Sequence, residues 1–137
     1  MTDQVDQVRV IHEESSDIPL VELRHVLTSG ASVEPVEVLG VGRIALRLLR
    51  RGAAGMGRKE MDEALDRIAA VLSAQASPDF YSIHLRVLKR NLPRATELLA
   101  SSLHQPTLAL DELERLKRET IAEIVSSRDA SYLEKLM

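Results

Sequence analysis

Charged side chains at helical spacing are the part of this sequence best suited to chemistry. The segment GVGRIALRLLRRG (40–52) places Arg43, Arg47 and Arg50 at i, i+4 and i+7 and contains no acid. Residues at this spacing share one face of a helix, so three guanidinium groups are expected along one stripe. Further along the chain, Glu119 and Glu123 are also one helical turn apart. Composition alone favours two solvated charged faces, and a functional role requires further evidence.

The histidines do not have the spacing of a metal site. No pair of them shows the i, i+4 separation that places two imidazoles on one helix face. A minor alternative is an enzyme site on one predicted strand, where Ser82 and Arg86 flank a histidine. The chain has no cysteine, which excludes disulfides, thiolate chemistry and sulfur-rich zinc sites. The four histidines lie on different predicted elements: His12, His25, His84 and His104.

Glycine and serine motifs of known enzymes are also missing. Gly40 with Gly42, and Gly55 with Gly57, are each too short for a phosphate-binding fingerprint, and neither follows a strand and opens a helix. No serine lies in a nucleophile elbow. We interpret the glycines as turns and helix caps.

The overall composition indicates a folded domain that does not bind nucleic acid. With 137 residues and 45% hydrophobic content, the chain has the size of one domain or of part of a larger one. A net charge of -3 and 2% aromatic content provide neither a basic excess for phosphates nor stacking platforms for bases. No apolar run approaches the roughly 20 residues of a membrane helix, and the polar start MTDQVDQ is no signal peptide. We expect a soluble protein, cytoplasmic, or periplasmic or in a mitochondrial matrix if a leader was removed.

Hydrophobic periodicity indicates strands and then a helix in the first part of the chain. Strands are predicted at 8–13 and 18–30, and a helix from Pro35 to Gly52. One face of the second strand holds Val21, Leu23, His25 and Leu27. The apolar residues at helical spacing in the helix are Val38, Val41, Ala45, Leu48 and Leu49.

Helices and strands are also predicted in the second part of the chain. A helix is predicted over 59–72, a strand hairpin around 77–79, and helices over 93–103 and 111–128. The order predicts an α+β domain with an antiparallel or mixed sheet and helices packed on one face. The helical residues expected to point inward are Met61, Ala64, Leu65, Ile68, Leu72, Leu113, Leu116, Ile121 and Ile124.

Several segments, in this order, resemble the pitrilysin or insulinase family of zinc peptidases, which includes the mitochondrial processing peptidase and core subunits of the respiratory cytochrome bc complex. The resemblance implies a half domain of the LuxS-like and processing-peptidase-like fold. It also implies that 1–137 is the N-terminal part of a peptidase domain that is cut before its end. The similar segments are IPLVELRHVLTSGASVEP (18–35), VGRIALRLLRRGAAG (41–55), EMDEALDRIAAVLSAQAS (60–77) and the run from FYSIHL to TIAEI (80–124).

The resemblance suggests what the predicted helix with Arg43 and Arg47 corresponds to in active members of the family. Active members carry HxxEH there, in which two imidazoles bind zinc and the glutamate activates the attacking water. The two histidine positions fall on Arg43 and Arg47, and the glutamate position falls on Leu46. Arginine has no lone pair for a metal, and leucine cannot accept a proton. The resemblance therefore implies a chain that has no catalytic residues, metal or cofactor and is not an enzyme by itself.

One ligand position of the family survives. The third zinc ligand of active members, a glutamate on the long helix, falls on Glu123, 76 residues after Arg47. We therefore expect Arg43, Arg47 and Glu123 to form a salt-bridge cluster that replaces the metal as the tie between the two helices. A structure with Glu123 more than about 6 Å from both arginines would contradict this expectation.

The function implied by the resemblance is that of a non-catalytic, zinc-less domain. It would serve as the structural or substrate-enclosing partner of an active zinc metallopeptidase. The implied partners are a catalytic subunit or a second half of the same family, a peptide, and a second copy of this chain. The alternative is a stand-alone assembly module like the core subunits of a respiratory complex.

Overall fold

The structure is a computed structural model that describes residues 10–14 and 18–134, with side chains described up to residue 127. It has the α+β architecture that the sequence predicts. Short 3-10 turns cover Ala31–Val33, Val36–Val38 and Lys89–Asn91. No helix in the described ranges is long and apolar enough to cross a membrane. The main elements are β1 (Leu20–Leu27), α1 (Val41–Leu48), α2 (Arg58–Arg67), β2 (Val71–Ala76), β3 (Tyr81–Leu88), α3 (Leu92–His104) and α4 (Leu110–Glu134).

The sheet is antiparallel, with β3 between β1 and β2. The predicted hairpin around 77–79 joins β2 to β3, and Leu85 of β3 lies opposite both Leu23 of β1 and Leu72 of β2. Because side chains alternate along a strand, Ile83, Leu85 and Val87 share one face, and all three are buried. The helices pack on this face, as predicted.

The core joins apolar side chains from the sheet and the helices in one cluster. Met61 and Leu65 of α2 and Leu98 of α3 pack with the buried strand residues, and Leu46 brings α1 into the same cluster. Full burial of each such side chain stabilises the fold by about 1.5–3 kcal/mol. The core therefore holds α1 firmly against the sheet.

The predicted helix from Pro35 begins six residues later, at Val41. One 3-10 turn, Val36–Val38, lies in the intervening segment, and Gly40 adopts a φ of 95°, a left-handed conformation that interrupts a regular helix. The later start changes which residues face the core. Val38, Val41 and Ala45 are exposed, whereas Leu46 and Leu48 are buried.

Two further boundaries differ from prediction. Helix α2 ends at Arg67 because Ala69 takes a φ of 49° and reverses the chain, so that Leu72 is buried from a strand instead of a helix. Residues 10–13 of the predicted strand at 8–13 form no regular structure, and Val10 and Ile11 are exposed. Residues 8 and 9 lie outside the described part of the chain.

Helix α4 has a different inward face from the one predicted. Leu116 is fully buried and Thr120 nearly so, but Ile121 and Ile124 are 62% and 52% exposed. The helix packs chiefly against α1, where charged side chains of the two helices form ion pairs. The prediction for Ile121 and Ile124 was wrong because apolar periodicity alone does not reveal which face meets a charged neighbour.

Candidate functional site

The arginine face of α1 lies against a glutamate face of α4. Arg43 at the start of α1 meets Glu123, while Arg51 just beyond its end meets Glu112 near the start of α4, so the two helices run antiparallel. Leu116 and Thr120 are buried between the charged positions of α4. We call this set of paired side chains the arginine–glutamate seam: Arg43, Arg47, Arg51, Glu112, Glu119 and Glu123.

The outer end of the seam contains the three residues singled out by sequence. The Arg43 Nη2 atom is 3.1 Å from a carboxylate oxygen of Glu123. Arg47 donates from Nη1 and Nη2 to the two oxygens of the same carboxylate, at 3.1 Å and 2.9 Å, and from Nη1 to the Thr120 hydroxyl at 3.1 Å. The structure therefore brings Arg43, Arg47 and Glu123 into direct contact, with bidentate geometry at Arg47.

The inner end of the seam is more enclosed. Arg51 lies 3.2 Å from Glu119 and 3.4 Å from Glu112, and the Arg51 and Glu112 side chains are only 16% and 14% exposed. Within the described residues, Arg51 Nη1 and Glu112 Oε2 are buried without a hydrogen-bond partner. Their attraction is therefore an ion pair without good hydrogen-bond geometry, which leaves part of the desolvation cost uncompensated.

Sequence reasoning missed Arg51 and placed Arg50 on the stripe instead. Among the described residues, Arg50 has no carboxylate within salt-bridge distance. The chain tightens after Leu48, where the Arg51 N–H donates to the Leu48 carbonyl, and this turn directs Arg51 towards α4. The i, i+4, i+8 spacing of Arg43, Arg47 and Arg51 was the signal available in the sequence.

Two charged side chains in or beside the seam, Glu119 and Arg50, have shifted pKa values. The hydrogen bond from Arg115 lowers the pKa of Glu119, partial burial opposes this shift, and the charges of Arg51 and Arg47 lower the pKa further. For Arg50, partial desolvation is the main cause of a lowered pKa, and the guanidinium groups of its neighbours add to it. These interactions favour the charged form of Glu119, which pairs with Arg47 and Arg51 across the seam and with Arg115 on its own helix.

A second contact, which sequence reasoning also missed, fixes the start of α1. The Glu34 carboxylate accepts hydrogen bonds from the Gly40 N–H at 2.5 Å, the Gly42 N–H at 2.8 Å and the Tyr81 hydroxyl. These bonds lower the pKa of Glu34, and the bond to Glu34 raises the pKa of Tyr81 to about 12. The Glu34 carboxylate thus caps the N-terminus of α1 and links it to Tyr81 at the start of β3.

Gly42 is required by this contact. A Cβ atom at Gly42 would lie 2.5 Å from Glu34 Oε1 and 2.5 Å from the Tyr81 ring and hydroxyl. Such a separation is far below van der Waals contact, so any larger residue displaces the carboxylate or the phenol. The glycine pair 40/42 therefore serves the helix cap and not a phosphate.

The residues at the HxxEH positions do not fit zinc. Arg43 and Arg47 offer only donor groups, and Leu46 is 7% exposed and packed in the core. On α4, Glu123 adds one carboxylate, and zinc sites need three or four ligands. In the described residues, no group of three or more histidine, aspartate or glutamate side chains is placed to hold a metal ion.

The polar cluster on β3 has a structural arrangement. His84 Nε2 is 3.3 Å from Glu22 Oε2, and Arg86 pairs with the other oxygen of that carboxylate. Ser82 is 5% exposed and makes no side-chain contact with His84 among the described hydrogen bonds. These residues lie on the sheet face opposite Leu85, and are thus apart from the arginine–glutamate seam.

The fold and the position of the seam define a class of protein: an α+β domain built like a zinc peptidase of the insulinase type. The model of the family Insulinase (Peptidase family M16) matches residues 9–137. This chain therefore belongs to peptidase family M16, as the sequence resemblance indicated.

Comparison with individual proteins gives the same family and fold. The chain is 24% identical over 123 residues to the uncharacterized zinc protease YmxG of Bacillus subtilis, which covers 90% of this chain and 30% of that protein. A peptidase M16 inactive domain from Pseudomonas fluorescens superimposes with a TM-score of 0.74 and 24% identity, over 80% of this chain and 27% of that one. A protease from Helicobacter pylori gives 0.67 and 22%, over 77% and 25%. The chain thus spans less than a third of the length of each relative.

Proposed function

We propose that this chain is a non-catalytic M16 domain that acts as the structural or substrate-enclosing partner of an active zinc metallopeptidase. The observation that carries the proposal is the contact of Arg43 and Arg47 with Glu123 at 2.9–3.1 Å. Two guanidinium groups occupy the positions where active members hold zinc, and the one remaining carboxylate is bound to them.

The chemistry of these side chains supports the loss of catalysis. Peptide hydrolysis in the family needs a metal ion and a base for the attacking water. Guanidinium groups remain protonated at every usable pH, and the leucine at the base position is buried. The seam supplies instead a charge-assisted tie between α1 and α4. We propose that this tie replaces the metal in holding the two helices together.

The partner role is supported by the extent of the match. This chain corresponds to 25–30% of the length of three relatives, one of which is described as an inactive domain. We propose that residues 1–137 represent the N-terminal part of an M16 domain. We propose that it associates with a catalytic M16 polypeptide or with a second half of the same family.

Zinc binding tests the loss of the metal site. The chain should bind no stoichiometric zinc in calorimetry or by metal analysis after gel filtration. The double variant Arg43→His/Arg47→His should gain one zinc ion, because two imidazoles then stand beside Glu123, and the further change Glu123→Gln should abolish it. One-to-one, sub-micromolar zinc binding by the unaltered chain would refute the proposal. Failure of the double variant, if folded, would refute the assignment of the ligand positions.

Reconstitution tests the partner role. The chain is mixed with an M16 peptidase that has an intact HxxEH, and complex formation and cleavage of a fluorogenic peptide are measured. A complex whose activity depends on the zinc of the other subunit is expected. Absence of any complex, or stable capture of respiratory-complex subunits with no effect on cleavage, would contradict the proposal and favour the assembly-module alternative.

A further inference from the structure

Helix α4 has no share in the hydrophobic core. The core cluster is formed mainly by side chains of the sheet and of α1, α2 and α3, and it contains no described residue of α4. Within 110–127, the part of α4 whose side chains the structure describes, only Leu116 and Thr120 are buried. Because burial of apolar surface is the main stabilising contribution to a fold, the attachment of α4 depends largely on its polar contacts.

Those polar contacts are the ion pairs of the arginine–glutamate seam. Glu119 lies at the centre of the seam, 3.6 Å from Arg47 and 3.2 Å from Arg51. The paired side chains at the outer end are 26–48% exposed, so water screens their attraction. At the enclosed end, the pair of Arg51 and Glu112 lacks good hydrogen-bond geometry. Contacts of this kind orient α4 on α1, but they resist separation weakly and depend on ionic strength.

The connection that leads into α4 is strained. Ala54 and Leu108 have φ angles of 51° and 48°, in the left-handed region that residues other than glycine rarely adopt. Both lie beside a contact between the loop after α1 and the loop before α4. In this contact, the Thr107 N–H donates to the Gly52 carbonyl at 3.0 Å, and the Ala54 N–H donates to the Gln105 carbonyl at 2.9 Å. Leu108 therefore lies between a fixed point of the backbone and the first residue of α4, and its strain is relieved when α4 moves.

We propose that α4 opens away from α1 as a unit while the sheet and the other helices stay folded, with Leu108 as the hinge and the seam as the lock. Segments with few buried apolar contacts open at a lower free energy than the core, and α4 keeps its own helical hydrogen bonds when it does so. Opening separates Glu119 and Glu123 from the arginines of α1, so higher ionic strength favours the open state. This behaviour concerns only the tie between the two helices, and it holds whether or not the chain is the partner of a peptidase.

Thiol labelling of the full chain tests the separate opening. The chain has no cysteine, so a single introduced thiol reports the exposure of its site. Thr120→Cys places the thiol on α4 at a site 8% exposed, and the control Val87→Cys places it in the core on β3, at a site 1% exposed. With excess aromatic disulfide reagent, the thiol on α4 should react at least about tenfold faster, because it needs only the opening of α4 and not global unfolding. Equal rates at the two sites overturn the proposal.

A second change tests the seam as the lock. Glu119→Gln should speed the labelling of Thr120→Cys at least about fivefold and leave that of Val87→Cys unchanged, because it removes the carboxylate shared by two arginines of α1. The control Glu97→Gln, which breaks an ion pair within α3, should change neither rate. Acceleration of both thiols by Glu119→Gln would show that α4 does not open separately, and acceleration of neither would show that the seam is not the lock.

Ionic strength gives the same decision without a change in the seam. Raising the salt from about 0.1 to about 1 M should speed the labelling of Thr120→Cys and not that of Val87→Cys. A rate at Thr120→Cys that salt does not raise contradicts the proposal, because direct access of the reagent through the partly open surface needs no separation of charges. Far-UV circular dichroism verifies that each variant is folded, and the salt series decides the question if Glu119→Gln is not.

A change at the hinge should act in the opposite direction. Leu108 is 52% exposed, so its replacement removes little packing. Asparagine adopts the left-handed conformation more readily than leucine, so Leu108→Asn lowers the strain of the closed state. In the Thr120→Cys background, this change should slow labelling at least about twofold. Labelling that is not slowed would exclude Leu108 as the hinge.

Discussion

The bidentate contact of Arg47 with Glu123 should make a measurable contribution to the stability of the fold. The test is a double-mutant cycle of Arg47→Gln, Glu123→Gln and the two together. Glutamine keeps the approximate size and polarity of both side chains, so the cycle isolates the ionic part of the interaction. A control cycle uses Arg94 and Glu97, an ion pair of 2.8 Å within α3.

The expected magnitude follows from exposure and geometry. The Arg47 and Glu123 side chains are 26% and 46% exposed, so solvent screens much of their attraction. Exposed ion pairs contribute about 0.2–1 kcal/mol, and two hydrogen bonds from one guanidinium place this pair near the upper limit. We expect a coupling free energy of about 1 kcal/mol. The Arg94–Glu97 side chains are 57% and 64% exposed, and their coupling should be about 0.3 kcal/mol.

Urea denaturation followed by far-UV circular dichroism measures both cycles, since the chain has no tryptophan. The slope of the free energy of unfolding against urea concentration should be the same for all variants. Changes in the midpoint of denaturation then report changes in stability. Raising the salt from 0.1 to 1 M shortens the screening length from about 10 to about 3 Å and should reduce both couplings. A coupling for Arg47 and Glu123 no larger than that of Arg94 and Glu97 would refute the role of the seam as a tie between helices.

Three further experiments test the surroundings of the seam. Gly42→Ala should lower the free energy of unfolding, measured by urea denaturation, by about 1–3 kcal/mol, because the added Cβ would lie 2.5 Å from Glu34 and Tyr81. This loss is expected although alanine favours helices. An equal or higher stability would contradict the role of Glu34 as the cap of α1. In a Tyr132→Phe background, Glu34→Gln should move the pKa of Tyr81 from about 12 towards 10 in an ultraviolet titration, and an unchanged value would contradict the contact. Since the folded-state pKa is the higher one, this contact should stabilise fully below about pH 10 and be lost as pH rises towards 12. Leu116→Ala, at a fully buried site, should lower the free energy of unfolding by about 2–5 kcal/mol. Ile121→Ala, at an exposed site, should lower it by less than about 0.5 kcal/mol. Similar losses for the two variants would contradict the observed rotation of α4.

The sequence was sufficient for features that depend on residue type and local order. The hairpin around 77–79 and the α+β class follow from alternation, turn residues and helical periodicity, which are local properties of the chain. The family also follows from residue order, and confirmation came from the match over residues 9–137. The sequence alone also shows that Arg43, Leu46 and Arg47 cannot bind zinc, because the donor atoms of a side chain follow from its residue type and not from the fold.

The tertiary structure decided which of the charged side chains meet. Family spacing selected Glu123 as the partner of Arg43 and Arg47, but only the packing of α4 on α1 shows the bidentate contact and the preference for Arg51 over Arg50. The rotation of α4, with Leu116 inward and Ile121 outward, depends on the same packing. So does the Glu34 cap, whose partner Tyr81 is 47 residues away. Contacts between distant segments leave no periodic signal in the sequence, and they therefore become visible only when the chain is folded.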